Sequence, residues 1–209
     1  MCIRPALPDD AQALAALGER LWRETYTGLI PGSNLELHLA ATFGPSRQAA
    51  ELADPACRML VIERAGALLG YALLRAGRPE QEIPAFHFVK PLEVARFYVD
   101  ASLHGHGAAQ ELMAAVLAHA SATGHDGVWL QVWEQNPRAI RFYVKVGFAD
   151  AGEATFRVGE QVDRDRLLVH ALMTRNRQPG IVPPGPPPGT GAGHSSSSGS
   201  GGGGIVRRR

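Results

Sequence analysis

The chain has 209 residues, with 21 basic and 20 acidic side chains and a formal charge of +1. Without Arg207, Arg208 and Arg209 the rest carries 18 basic against 20 acidic residues, which is no nucleic-acid footprint. Two cysteines, Cys2 and Cys57, argue against a disulfide framework or zinc site, and no apolar run is long enough to span a bilayer. The N-terminus lacks a signal-peptide core, so one cytoplasmic domain is expected.

In chain order, Asp9-Asp10 after Pro8 start a helix predicted over 11–23, followed by more helix over 33–41 and 45–53. Strands are predicted over 58–64 and 67–75, joined by the Ala65-Gly66 turn. A loop holding Pro79, Pro84 and Pro91 leads to a β-branched and aromatic strand over 92–100, stopped by Asp100. Next comes a small-residue loop feeding a helix to about Thr123, with Leu112, Met113, Val116, Leu117 and Ala120 at helical spacing. A strand over 128–133, a helix over 136–146 and two strands near 148–157 and 166–173 complete a domain of residues 1–177. Residues 178–209 are rich in Pro, Gly and Ser, cannot bury a core, and are expected to form a flexible tail.

Two segments carry chemistry. In the turn of Gly105, His106, Gly107 and Ala108, successive backbone N–H groups can point at one spot, backed by a helix end: an anion site. Small side chains let a pyrophosphate approach the main chain. A P-loop would need Gly-Lys-Ser/Thr where Ala108-Ala109-Gln110 stands, and a Rossmann fingerprint would need a small residue at Gln110. The second segment is Asn136-Pro137-Arg138-Ala139-Ile140-Arg141-Phe142-Tyr143-Val144-Lys145-Val146-Gly147-Phe148. Asn136 reads as an N-cap, Pro137 as the first helical residue and Gly147 as the left-handed stop.

Together these segments resemble the GNAT superfamily of acyl-CoA-dependent N-acyltransferases, whose loop runs Gln/Arg-x-x-Gly-x-Gly/Ala. Here it reads His104-Gly105-His106-Gly107-Ala108-Ala109, with His104 where Gln or Arg is usual. The resemblance implies an α/β (α+β) fold: a mixed, mostly antiparallel twisted sheet of about seven strands, flanked by helices and splayed at the acyl-CoA site. It implies acetyl-CoA as cosubstrate, no metal, and a donor site built from Phe97, Tyr98, Val99, His104, Gly105, His106, Gly107, Ala108, Ala109, Asn136 and Tyr143. Leu92-Glu93-Val94, Trp129-Leu130-x-Val132-Trp133-Glu134, Glu24-Thr25-Tyr26 and Phe156-x-x-Gly159-x-x-x-x-x-Asp165 look like the PaiA-type polyamine N-acetyltransferases. That subgroup often has His where Ala154 stands here.

Amine acetylation sets the remaining expectations. A primary amine with pKa about 10.4 must lose a proton, which costs about 4 kcal/mol near neutral pH. The resemblance implies Glu93 as the base that takes it, the Val99 N–H as the oxyanion donor, and Tyr143 as the acid for the leaving thiolate. That last transfer is uphill by roughly 2 kcal/mol. Phe142 is expected to supply the core-facing ring of its helix. Tyr26 is the aromatic most apt for an amine pocket, while Trp22, Trp129 and Trp133 read as core. His104 and His106 lack further metal-ligand partners at suitable spacing, and Ser102 and Ser121 lie in no nucleophile elbow. The expected partner is a small-molecule amine, spermidine or spermine first, with no nucleic acid or membrane and a homodimer allowed. Acyl-CoA sensing without turnover, and acetylation of a protein N-terminus or another amine, stand as alternatives.

Overall fold

The computed structural model describes residues 1–26, 36, 39, 41–158 and 161–172. Strand β1 (Cys2–Pro5) precedes helices α1 (Ala11–Tyr26) and α2 (Pro45–Ala53) and the hairpin β2 (Cys57–Arg64) and β3 (Ala67–Ala76). Then follow β4 (Pro91–Val99), α3 (Ala108–Ala122), β5 (Gly127–Trp133), α4 (Pro137–Lys145), β6 (Ala149–Val158) and β7 (Gln161–Ala171). Short 3₁₀ turns sit at Pro8–Asp10 and Ala101–Leu103. The seven strands run β1-β2-β3-β4-β5-β7-β6, antiparallel except for β4 beside β5. This is the mixed, mostly antiparallel sheet expected from the sequence. The helix expected over 33–41 falls largely outside the described residues.

Two strands differ from the sequence reading. β1 has four residues ending in Pro5, too few to show alternation, and pairs only with β2, an edge position where proline is tolerated. β7 begins at Gln161 and not near Arg166, because pairing with β6 carries its polar first residues into the sheet.

Side chains alternate across β3. Tyr71 and Leu73 face α1 and α2 in a core with Leu14, Trp22, Phe43 and Tyr98. Ala72 and Leu74 face α3 and α4 in a larger core with Phe97, Leu112, Met113, Val116, Leu130 and Tyr143. A third cluster, Ile83, Phe86, Trp129, Ala154 and Leu167, covers the β5–β7 half. Among the described residues no helix is long and apolar enough to cross a membrane.

One departure from regularity makes the cleft. β4 and β5 pair at Pro91/Gly127, Leu92/Val128 and Glu93/Trp129, and their pairing goes no further. Beyond Glu93, β4 pairs only with β3 and β5 only with β7. The β3–β4 register slips between Leu73/Arg96 and Leu74/Val94, leaving Ala95 as the extra residue of a bulge. Ala95 and Arg96 consequently both reach the α1/α2 side, where Arg96 meets Glu51.

Candidate active site

At the upper end of β4, Asp100 N donates to Leu69 O at 2.8 Å. In an antiparallel ladder this bond makes Gly70/Val99 a non-hydrogen-bonded pair, so the Val99 amide and carbonyl turn away from β3 into the splay. The Val99 N–H, the expected oxyanion donor, therefore faces the splay. Phe97 lies wholly inside the α3/α4 core and Tyr98 in the opposite one, its ring 5.4 Å from that of Tyr71. By the same alternation Phe97, opposite Ala72, turns its main chain into the splay, while Tyr98, opposite Tyr71, directs its amide and carbonyl at β3.

The loop after β4 is organised by Asp100, whose carboxylate accepts from Ser102 N and from Arg20. Burial works to raise that carboxyl, but the Ser102 and Arg20 hydrogen bonds outweigh it and hold it at about 2. Gly105 and Gly107 both adopt φ +79, a conformation that side chains strain to reach. The His106 amide turns back to the Leu103 carbonyl, so it is not one of the outward amides the sequence reading anticipated. The first helical bond of α3 runs from Glu111 N to Gly107 O, leaving the amides of Ala108, Ala109 and Gln110 at the open helix end. A Cβ built on Gly105 or Gly107 meets nothing within 4 Å, so the main chain there opens onto free space. Ala108 and Ala109 are buried against the sheet while His106 stays exposed. The loop thus suits a diphosphate.

On the other wall, the Asn136 side chain accepts from Ala139 N at 3.0 Å, capping α4 as expected. Gly147 ends the helix at φ +94, with a notional Cβ only 2.9 Å from His170. Tyr143 is fully buried beside Phe97, Phe142 and Phe148, at 5.2–6.2 Å between ring centroids. Phe142 does not fill the core alone: both rings are inside, because the short helix turns both toward the sheet.

Glu93 sits where the parallel pairing stops, half-buried and on the α1/α2 side across from Arg75. Burial pushes its carboxyl up to about 7; Glu80 adds to the rise, and Arg75 and Arg96 oppose it. Behind it, Glu51 of α2 accepts from Arg96 at 2.6 and 3.0 Å, from Arg75 at 2.7 Å and from Arg47 at 3.1 Å. At the vertex of the splay, the last β4–β5 pair before the strands part, the chain thus holds a carboxyl that titrates near neutrality.

The glycine-rich turn before α3, the open edge of β4 and the Glu93 carboxyl thus all border the β4–β5 splay. The sequence profile of the Acetyltransferase (GNAT) family matches residues 18–148. The chain belongs to that family. As a GNAT enzyme it is an acyltransferase. An uncharacterized N-acetyltransferase of Mycobacterium tuberculosis is 33% identical over 164 residues, 78% of this chain and 99% of the relative. The PaiA N-acetyltransferase of Thermoplasma acidophilum, crystallised with coenzyme A, superposes with TM-score 0.64 at 18% identity, over 82% of this chain and 100% of that one. A ribosomal-protein-alanine N-acetyltransferase of Brucella melitensis gives TM-score 0.56 at 20% identity, over 82% and 100%. At those identities the two structures speak for the GNAT fold.

Two charged residues that the sequence reading passed over also lie near the splay. Arg96 is almost wholly buried with Glu51, a pairing hidden because its partner lies 45 positions away. Arg138 reaches His104 across the splay. Its one sequence signal is a positive charge in the first turn of a helix, where the dipole disfavours it. Trp22 and Trp129 are core, as expected, with Trp129 donating to the Gly77 carbonyl at 2.8 Å. The side chain of Tyr26 lies outside the described residues.

Proposed function

We propose that this GNAT enzyme moves the acetyl group of acetyl-CoA onto a primary amine by direct attack. The observation that carries the reading is Glu93, a carboxyl raised to about 7 at the vertex of the splay, below the outward Val99 amide and the Gly105–Ala109 loop. Acetyl-CoA supplies an activated thioester. The loop amides and the α3 end receive its diphosphate, and the Asn136 carboxamide keeps its NH₂ group for the donor's amide-bearing arm. Ionised Glu93, directly or through water, accepts the proton of the substrate ammonium, leaving the nitrogen lone pair to form the C–N bond. The Val99 N–H steadies the carbonyl oxygen as it gains charge. The C–S bond then breaks, and the Tyr143 phenol protonates the departing thiolate.

A polyamine is the first acceptor to test. The PaiA-like segments around Leu92-Glu93-Val94 and Trp129 to Glu134 and the slightly acidic body support it. An amine bearing a carboxylate is the second reading, favoured by the partly exposed Arg75 guanidinium close to Glu93. Thiol release from acetyl-CoA with spermidine, spermine, amino acids and N-terminal peptides tests both. Release with none of them, while CoA still binds, would leave acyl-CoA sensing as the better reading.

A further inference from the structure

Arg138 stands in the first turn of α4 with no acidic side chain in that turn, so the helix dipole disfavours its charge. Its exposed guanidinium reaches instead to the loop, where Nη2 donates to His104 Nδ1 at 2.9 Å. The same imidazole places Nε2 3.3 Å from the Val99 carbonyl. A carbonyl only accepts and a guanidinium only donates, so His104 carries its proton on Nε2 and is neutral. Its titration is displaced downward, by burial first and then by the Arg138 charge, in agreement with that tautomer. Neutral His104 thus brings no charge to the loop position where Gln or Arg is usual. It does hold a guanidinium there, joined to α4 on the far side of the splay. Among the described residues His104 is the hydrogen-bonding partner of Arg138, and four of the five guanidinium N–H groups remain for a ligand.

Resting on the acetyl-CoA reading above, we propose that Arg138, held in place by His104, is a ligand to the diphosphate of the acyl donor. The diphosphate is favoured over the donor's 3′-phosphate because Arg138 is tied to the residue that directly precedes the Gly105–Ala109 loop and the open amides of α3. A planar fork suits two phosphate oxygens, and His104 fixes its reach. Arg138 is a binding residue on this view and His104 a positioning residue.

The test titrates the full chain with CoA, 3′-dephospho-CoA and pantetheine, by calorimetry for the first two and by NMR for the weak third. Arg138→Ala should weaken CoA and 3′-dephospho-CoA alike, by about 10- to 100-fold, and leave pantetheine unchanged. The salt dependence of CoA binding should flatten as well. His104→Ala should lose less, and the double variant should be no weaker than Arg138→Ala, since His104 acts through Arg138. Unchanged CoA affinity, an equal loss with pantetheine, or a loss that disappears with 3′-dephospho-CoA would each overturn the diphosphate assignment. Additive losses in the double variant would overturn the positioning role of His104. If the unsubstituted chain failed to bind CoA, the acetyl-CoA reading would fall and this assignment with it. CoA binding abolished by Gly107→Glu but spared by Arg138→Ala would remove Arg138 alone.

Discussion

Replacing Glu93 by Gln separates a poised base from a structural carboxylate, because the same perturbed carboxyl governs rate and stability. Its titration is displaced from the ordinary 4.5 to about 7, chiefly by burial. The folded protein therefore holds the Glu93 proton more tightly than the unfolded chain does. Below pH 4.5 both states are protonated and the group contributes no difference. Between 4.5 and 7 the unfolded chain ionises first, and the folded state loses stability relative to it until the native carboxyl also ionises. Gln is neutral throughout, so Glu93→Gln should gain on the unsubstituted protein from about 1 kcal/mol at pH 5 to about 3 kcal/mol at pH 8. Urea unfolding of both proteins at half-unit steps between pH 5 and 9 measures this. In kinetics, the ascending limb of the kcat/KM profile inflecting near 7 should disappear in the variant, which should be slower by about 10²–10⁴ at its optimum. Stability curves that stay parallel across that range would refute the buried carboxyl, and an unchanged pH–rate profile would refute the base.

Tyr143→Phe keeps the ring among Phe97, Phe142 and Phe148, so its melting temperature should stay within a few degrees. Its kcat should fall by about 10²–10³ with little change in KM for acetyl-CoA; full kcat would return the residue to a packing role. Gly107→Glu places a strained, negatively charged residue at φ +79 facing open space, so CoA binding should vanish in calorimetry while circular dichroism stays native. Deleting residues 178–209, whose composition offers nothing to pack, should leave melting temperature and CoA affinity unchanged; a drop of several degrees would show that the tail docks.

The parts of the molecule legible in the sequence were those whose cause is local. The helix at Pro45–Ala53 is legible because Pro at its first position leaves a local mark. The cap at Asn136 and the stop at Gly147 were legible for the same reason: one carboxamide and one backbone angle decide them. The hairpin turn followed from Ala65-Gly66, which takes φ 51 and 78. What stayed hidden depends on partners far away in sequence. The elevated Glu93 carboxyl arises from packing between strands, the Arg96–Glu51 pair joins β4 to α2, and the Arg138–His104 bond spans the cleft. The bulge at Ala95 left no trace, since an extra residue in a β-branched strand alters neither composition nor alternation enough to be read.

The brevity of the β4–β5 pairing also bears on how the chain folds. β1 to β4 form one antiparallel succession and β6–β7 a hairpin, with β5 added to β7. Within the sheet these two blocks meet along just three residue pairs. β2 and β3, and likewise β6 and β7, are close neighbours in sequence, whereas the seam must wait for all of α3 to be laid between its strands. The seam should accordingly form late. Truncating Leu92 or Val128, which face each other across it, should speed unfolding and leave the folding rate nearly unchanged. The same short join that opens a cleft for chemistry would then be the last stitch made and the first to part.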